Sequence, residues 1–75
     1  YHIIMFNKTI SIIGGTGHVG LPLGISFALK NFNVQLIDIN KKNIKLVNNG
    51  IMPFKEDKAS VALRQLIKKK RIYAS

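Results

Sequence analysis

Seven residues, Gly14-Gly15-Thr16-Gly17-His18-Val19-Gly20, separate two apolar stretches and restrict this chain more than anything else in it. Before them runs Thr9-Ile10-Ser11-Ile12-Ile13, short, rich in β-branched residues and strand-like. After them comes Leu21-Pro22-Leu23-Gly24-Ile25-Ser26-Phe27-Ala28-Leu29, which suits a helix. Gly15, Gly17 and Gly20 thus make a G-x-G-x-x-G at the point where a strand hands over to a helix, the order that a dinucleotide pyrophosphate requires. Gly15 is expected to permit the tight turn, Gly17 to let backbone approach the phosphates, and Gly20 to let the helix pack closely on the strand. Unpaired N–H groups and a partial positive charge at the helix start complete the anion site. No Gly-Lys-Ser/Thr follows, which argues against a P-loop for nucleoside triphosphates.

Glycine-rich turns also occur where only a tight connection is wanted, so the spacing to an acid is more telling. Asn33-Val34-Gln35-Leu36-Ile37-Asp38 reads as a second strand ending in Asp38, 18 positions after Gly20 and 23 after Gly15. A carboxylate there accepts hydrogen bonds from the adenosine ribose hydroxyls, and it disfavours NADP because a 2′-phosphate would face it at close range. The expected cofactor is NAD.

The positions Gly15, Thr16, Gly17, His18, Val19, Gly20 and Asp38 are therefore the candidate cofactor-binding residues. No catalytic residue and no metal site is expected. Cysteine is absent, which removes disulfides, thiolate nucleophiles and zinc–cysteine sites and fits a cytoplasmic protein. The two histidines, His2 and His18, lie too far apart in sequence to suggest a metal pair. No apolar run approaches the roughly 20 residues that span a bilayer, and no signal-peptide pattern is present. The net charge of +9 raises the question of nucleic acid. Its lysines collect in Lys41-Lys42-Lys45 and Lys68-Lys69-Lys70-Arg71, on the solvent side of one expected helix and at the end of another, where the helix dipole favours them. No aromatic residues interleave for base stacking, so neither nucleic acid nor membrane is an expected partner.

Along the chain, residues 1–8 read as a frayed lead-in, and the first strand as Lys8 to Ile13, buried on both faces. A helix is expected from about His18 to Lys30, with Leu23, Phe27 and Leu29 covering the sheet and Pro22 tolerated close to the first turn. A strand over Val34–Ile39 follows. Asn40 then caps a helix from Lys41 to about Asn48 that turns Ile44 and Val47 inward and stops at Gly50. Ile51, Met52 and Phe54 make an apolar loop expected to fold back onto the domain. A third helix runs from Asp57 or Lys58 to Lys70 with Ala62, Leu63, Leu66 and Ile67 on one side, and residues 71–75 turn toward extended structure. A complete doubly wound domain takes about twice 75 residues. The expected fold class is therefore α/β, a Rossmann-type doubly wound parallel sheet, N-terminal half only, in the order βαβααβ, occupying residues 9–75. One sheet edge would be left unpaired, giving weak stability or association through that edge.

Thr9 to Ser75 resembles the N-terminal part of the UDP-glucose/GDP-mannose dehydrogenase family. The family opens roughly I-x-I-I-G-x-G-Y-V-G-L-P-L-A; this chain has Ile10-Ser11-Ile12-Ile13-Gly14-Gly15-Thr16-Gly17-His18-Val19-Gly20-Leu21-Pro22-Leu23-Gly24, followed by Ile37-Asp38-Ile39-Asn40, Asn48-Asn49-Gly50 and the Pro53–Glu56 loop in the family's order. It departs by one extra glycine, which suggests a looser turn, and by His18 in place of tyrosine. A third departure lies five positions after the acid, near the ribose, where members often carry a basic residue and this chain has Asn43, with Lys41 and Lys42 adjacent; the resemblance adds Asn43 to the site by that position. It also matches Glu56 to a family glutamate, although capping of the next helix explains that residue equally.

The resemblance implies a two-step oxidation of the C6 alcohol of a nucleotide-linked hexose, a UDP-glucose or UDP-N-acetylhexosamine, to its uronic acid with two NAD, in polysaccharide biosynthesis. The catalytic cysteine of the family and its sugar contacts belong to a later region, so the nucleotide sugar is a partner of the remainder of the enzyme, expected to be a homodimer or higher oligomer. Two other readings stand beside it. One is the half-domain of another NAD-dependent dehydrogenase, of 3-hydroxy acid type, which commonly lacks Leu21-Pro22-Leu23. The other is a non-catalytic nucleotide-sensing regulatory module, which usually lacks an insertion like Gly50–Lys70.

Overall fold

Alternation along the strands decides which side of the sheet is dry. In the computed structural model, which describes residues 2–56 and 58–75, four strands form one sheet: β1 (His2–Phe6), β2 (Thr9–Ile13), β3 (Asn33–Ile37) and β4 (Ile72–Ala74). They lie in the order β1-β2-β3-β4, with β1 antiparallel to β2 and the other two pairings parallel. Three helices, α1 (Gly20–Leu29), α2 (Lys41–Asn48) and α3 (Ala59–Lys68), make the connections. The register sets Ile10 beside Val34 and Ile72, and Ile12 beside Leu36 and Ala74; all six are buried. Each large aliphatic side chain buried this way contributes about 1.5–3 kcal/mol of transfer free energy.

Leu21, Ile25 and Ala28 of α1, Val47 of α2, and Leu63 and Leu66 of α3 close the core over this row. Ser11, Gln35 and Tyr73, one register step away, are half-buried or exposed. Strand β2, expected over Lys8 to Ile13, is thus covered on one face only, not on both as its near-continuous apolar run suggests.

Helix α1 is shorter than the expected His18–Lys30, because residues 14–19 are spent on the turn. The carbonyls of Gly17 and Val19 accept from Leu21 and Leu23, and Pro22 falls in the first turn, where its missing N–H leaves nothing broken. The sheet-facing residues are Leu21, Gly24, Ile25 and Ala28. Leu23 and Phe27 only flank them, and Leu29, expected to cover the sheet, is 60% exposed. Asn31, in the left-handed region at φ +72°, ends the helix while Phe32 returns an amide to Phe27 and stacks edge-on against it at 5.8 Å.

The second helix forms as its sequence indicates. Asn40 Oδ1 accepts from the Asn43 amide at 3.0 Å, and Gly50, at φ +76°, closes the other end through bonds from Gly50 and Ile51 to Val47 and Leu46. Met52 and Phe54 fold onto the core, whereas Ile51 stays half in solvent. Helix α3 begins at Ala59; of its two expected starts, Asp57 lies outside the described residues.

The described part of the expected lead-in is ordered. His2–Phe6 pairs along the whole of β2 through a two-residue turn at Asn7 and Lys8, both at positive φ, so the half-domain reads ββαβααβ. All five residues of β1 are exposed, so the backbone ladder is what holds it. The glycine-bearing strand becomes an inner strand, flanked by β1 and β3.

Candidate dinucleotide site

The turn between β2 and α1 is fastened to β3 before any side chain is counted. The amides of Gly14 and Gly15 both donate to Ile37 O, at 2.7 and 3.2 Å. Gly14 is the residue that takes the left-handed conformation, at φ +76°, a role expected of Gly15. Gly15 instead serves packing: a Cβ on it would lie 2.8 Å from Ile12 O and from Leu36 Cβ. The extra glycine is therefore the hinge of the turn, and the doubling Gly14-Gly15 was the signal for it.

The other two glycines separate cleanly by what surrounds them. A Cβ on Gly20 would sit 2.5 Å from Gly14 O and 2.9 Å from Gly15 Cα, so this glycine lets the helix start lie against the turn. A Cβ on Gly17 would meet only Gly14 O, at an ordinary 3.6 Å, and otherwise open space. Gly17 thus presents bare backbone outward at the start of α1. Among the described residues, no hydrogen bond takes up the amides of His18, Val19 or Gly20. Bare backbone, free amides and the positive end of a helix make a cradle that fits a diphosphate.

Asp38 comes to this turn, as the spacing required. Strand β3 ends at Ile37, short of the expected Ile39; the Asp38 amide still donates to Ser75 O at 3.1 Å, and its Oδ1 accepts from the Asn40 amide at 3.1 Å in a local turn that leads into α2. Its other oxygen, Oδ2, accepts from Thr16 N at 3.0 Å and from Thr16 Oγ1 at 2.6 Å. The Thr16 hydroxyl is the main reason the Asp38 carboxyl is held below its ordinary value; burial opposes the shift, and the amides of Thr16, Asn40 and Ile39 add to it. The carboxylate is ionised at neutral pH. Beside it Ile13, Gly14, Ile37 and Ile39 line a cleft of about 290 Å³ at the carboxyl ends of β2 and β3, where open α/β sheets bind ligands. Ile39 stands 97% exposed at its rim.

The remaining sequence candidates scatter around this centre. Thr16 is buried, and its side chain turns to Asp38. Val19 is exposed. His18 is exposed and stacks on Phe54, ring centroids 4.1 Å apart and 21° from parallel, which joins the 51–56 loop to the glycine turn. Phe54 was expected only to fold onto the domain; nothing in its sequence context indicated His18 as its partner. Asn43 lies in the first turn of α2, where its amide completes the Asn40 cap, and its side chain makes no hydrogen bond to Asp38. Glu56 accepts from the Lys58 amide at 2.9 Å just ahead of α3, a local turn contact, and the first turn of α3 itself holds no acidic residue. No group of three or more His, Cys, Asp and Glu among the described residues could hold a metal ion, and no helix of the described residues is long and apolar enough to cross a membrane.

A glycine turn with open amides, set against an ionised acid at the end of the adjacent parallel strand, defines a dinucleotide-binding domain of Rossmann type. The family profile described as UDP-glucose/GDP-mannose dehydrogenase family, NAD binding domain, matches residues 8–75. The chain belongs to that family, and its cofactor is NAD. Strand β1 lies outside the matched residues. No solved structure matches the chain.

Proposed function

We propose that this domain holds NAD for the oxidation of the C6 alcohol of a UDP-linked hexose, of UDP-glucose or UDP-N-acetylhexosamine type, to its uronic acid. NAD, when bound, accepts the hydride. The chain's own residues bind and orient it. Backbone from Gly15 to Gly20 takes the pyrophosphate, with His18 and Val19 at its margin, and Asp38 accepts from the adenosine ribose. Asn43 approaches the same ribose from α2, and the apolar cleft beside Asp38 receives the adenine face. The chain contains no cysteine, so the covalent chemistry that the family resemblance implies is not carried by these residues.

The observation that carries this reading is the anchoring of an ionised Asp38 at the glycine turn by Thr16. Asp38→Ala removes a charge-assisted hydrogen-bonding partner of the ribose and is expected to weaken NAD binding about tenfold or more, measured by calorimetry. An unchanged affinity would remove the ribose role. Activity of the parent enzyme on UDP-sugars, with none on hydroxy acids, tests the substrate class.

A further inference from the structure

Thr16 sits in the variable position between two glycines of the fingerprint, where the backbone alone is needed, yet its side chain is 1% exposed and its hydroxyl is committed. It donates to Asp38 Oδ2 at 2.6 Å, alongside the Thr16 amide at 3.0 Å on the same oxygen. The Asn40 amide takes Oδ1 at 3.1 Å. A carboxylate offers about four acceptor positions. Three are filled by the protein, from both ends of the group, so Asp38 cannot rotate about its side-chain bonds without breaking at least one of them.

We infer that Thr16 is a positioning residue whose buried hydroxyl locks the Asp38 carboxylate in place, and that this lock, more than the presence of an acid, makes the site refuse a dinucleotide bearing a 2′-phosphate. The inference rests on the ribose role proposed for Asp38. A free aspartate can swing toward solvent when a phosphate arrives, and Lys41 and Lys42 follow closely in the chain to soften the repulsion. A tethered one cannot. It stays where the 2′ substituent must go, with one acceptor position left for a ribose hydroxyl and none of the donors a phosphate needs. The Thr16 side chain itself contributes nothing direct to the pyrophosphate, because it lies beneath the turn and its proton is already given to Asp38.

The test compares wild type, Thr16→Val, Thr16→Ser and Asp38→Asn in the parent enzyme that carries this domain. Dissociation constants for NAD and NADP are measured by calorimetry, and the Asp38 carboxyl is titrated by ¹³C NMR. Thr16→Val keeps size and burial but removes the donor, and the preference for NAD over NADP is expected to fall about ten- to a hundredfold, as for one lost hydrogen bond to a charged group. The Asp38 midpoint should rise toward that of an ordinary carboxyl. Thr16→Ser keeps the donor and should hold both the preference and the midpoint near wild type, which a purely space-filling role of threonine does not predict. Should the valine variant fail to fold, Thr16→Ala carries the same expectation. A preference or a midpoint that Thr16→Val or Thr16→Ala leaves unchanged overturns the inference. If Asp38→Asn alters the preference while Thr16→Val does not, the ribose reading stands and only the lock is lost. If Asp38→Asn changes neither affinity, the ribose reading fails and the lock with it.

Discussion

The side-chain amide of Asn48 pairs with the backbone of Ala74 as a neighbouring strand would: Nδ2 donates to Ala74 O and Oδ1 accepts from Ala74 N, both at 2.8 Å. Asn48 is the last residue of α2, and Ala74 is in the outermost strand, β4, which pairs on its other side with β3. One side chain thereby satisfies two backbone groups that would otherwise be an open template for another chain, a local protection of a sheet edge.

Asn48→Ala removes both bonds at once. Each is worth about 0.5–1.5 kcal/mol net, so a loss of about 1–3 kcal/mol is expected, read as a lower urea midpoint at unchanged slope. Asn48→Asp keeps the acceptor for Ala74 N and loses the donor for Ala74 O, and should fall between wild type and alanine. Equal stability of all three would show that water replaces the amide without cost.

The glycine turn offers a sharper separation, because two of its glycines face different things. Gly20→Ala drives a Cβ into Gly14 O and Gly15 Cα, backbone atoms that cannot step aside cheaply, so about 1–3 kcal/mol of stability should go with the binding site. Gly17→Ala meets nothing closer than 3.6 Å within the protein. Its unfolding free energy should stay within about 0.5 kcal/mol of wild type. NAD affinity should nonetheless drop about tenfold or more, because the methyl group occupies the approach of the pyrophosphate. Calorimetry and urea denaturation on the same two variants check both statements. Loss of stability in Gly17→Ala would mean that the open side of the turn has been misassigned.

The site was legible in the sequence where chemistry and spacing coincide. Gly15, Gly17, Gly20 and Asp38 are brought to one corner because strand, turn and helix lengths between them are short and fixed, and the Asn40 cap and Gly50 stop needed only local hydrogen bonding to be read. What escaped was decided by tertiary contacts or by turn geometry. Leu29 looked like core because it is apolar, but the helix phase set by Leu21, Ile25 and Ala28 turns it to solvent. The hinge role passed from Gly15 to Gly14 because only the path of the chain over Leu36 decides which glycine is crowded and which is twisted. Strand β1 buries no side chain, so it left no burial pattern; its signal was Asn7-Lys8 between two apolar runs, a two-residue hairpin turn.

His18 and Phe54 supply the next prediction. The stack ties the 51–56 loop to the start of α1, and Phe54 also packs on the core, so Phe54→Ala loses ring contact and burial together. The stack alone is worth about 0.5–1.5 kcal/mol beyond area, which with partial burial brings the expected loss to about 1–3 kcal/mol. His18→Tyr, which restores the residue that the family resemblance places there, keeps an aromatic face for Phe54 and should leave stability within about 0.5 kcal/mol. Hydrogen exchange of the loop amides is the more direct measurement: faster exchange in Phe54→Ala with no change in His18→Tyr is expected.

Acid should weaken the fold through Asp38 in a definite window. Because its folded-state pKa lies below the unfolded value, the group stabilises the native state fully at pH values above the unfolded carboxylate range, about 4. The contribution is lost as pH falls from there through the lower folded value, where the Thr16 hydroxyl and the amides of Thr16 and Asn40 lose their charged acceptor. Asp38→Asn abolishes the titration and keeps the shape. Urea unfolding at a series of pH values from neutral down to about 3 should therefore show wild type losing stability more steeply than Asp38→Asn below about pH 5, with the two lines parallel above it. Lines that stay parallel throughout would mean that the two Thr16 hydrogen bonds are worth no more to the carboxylate than water is.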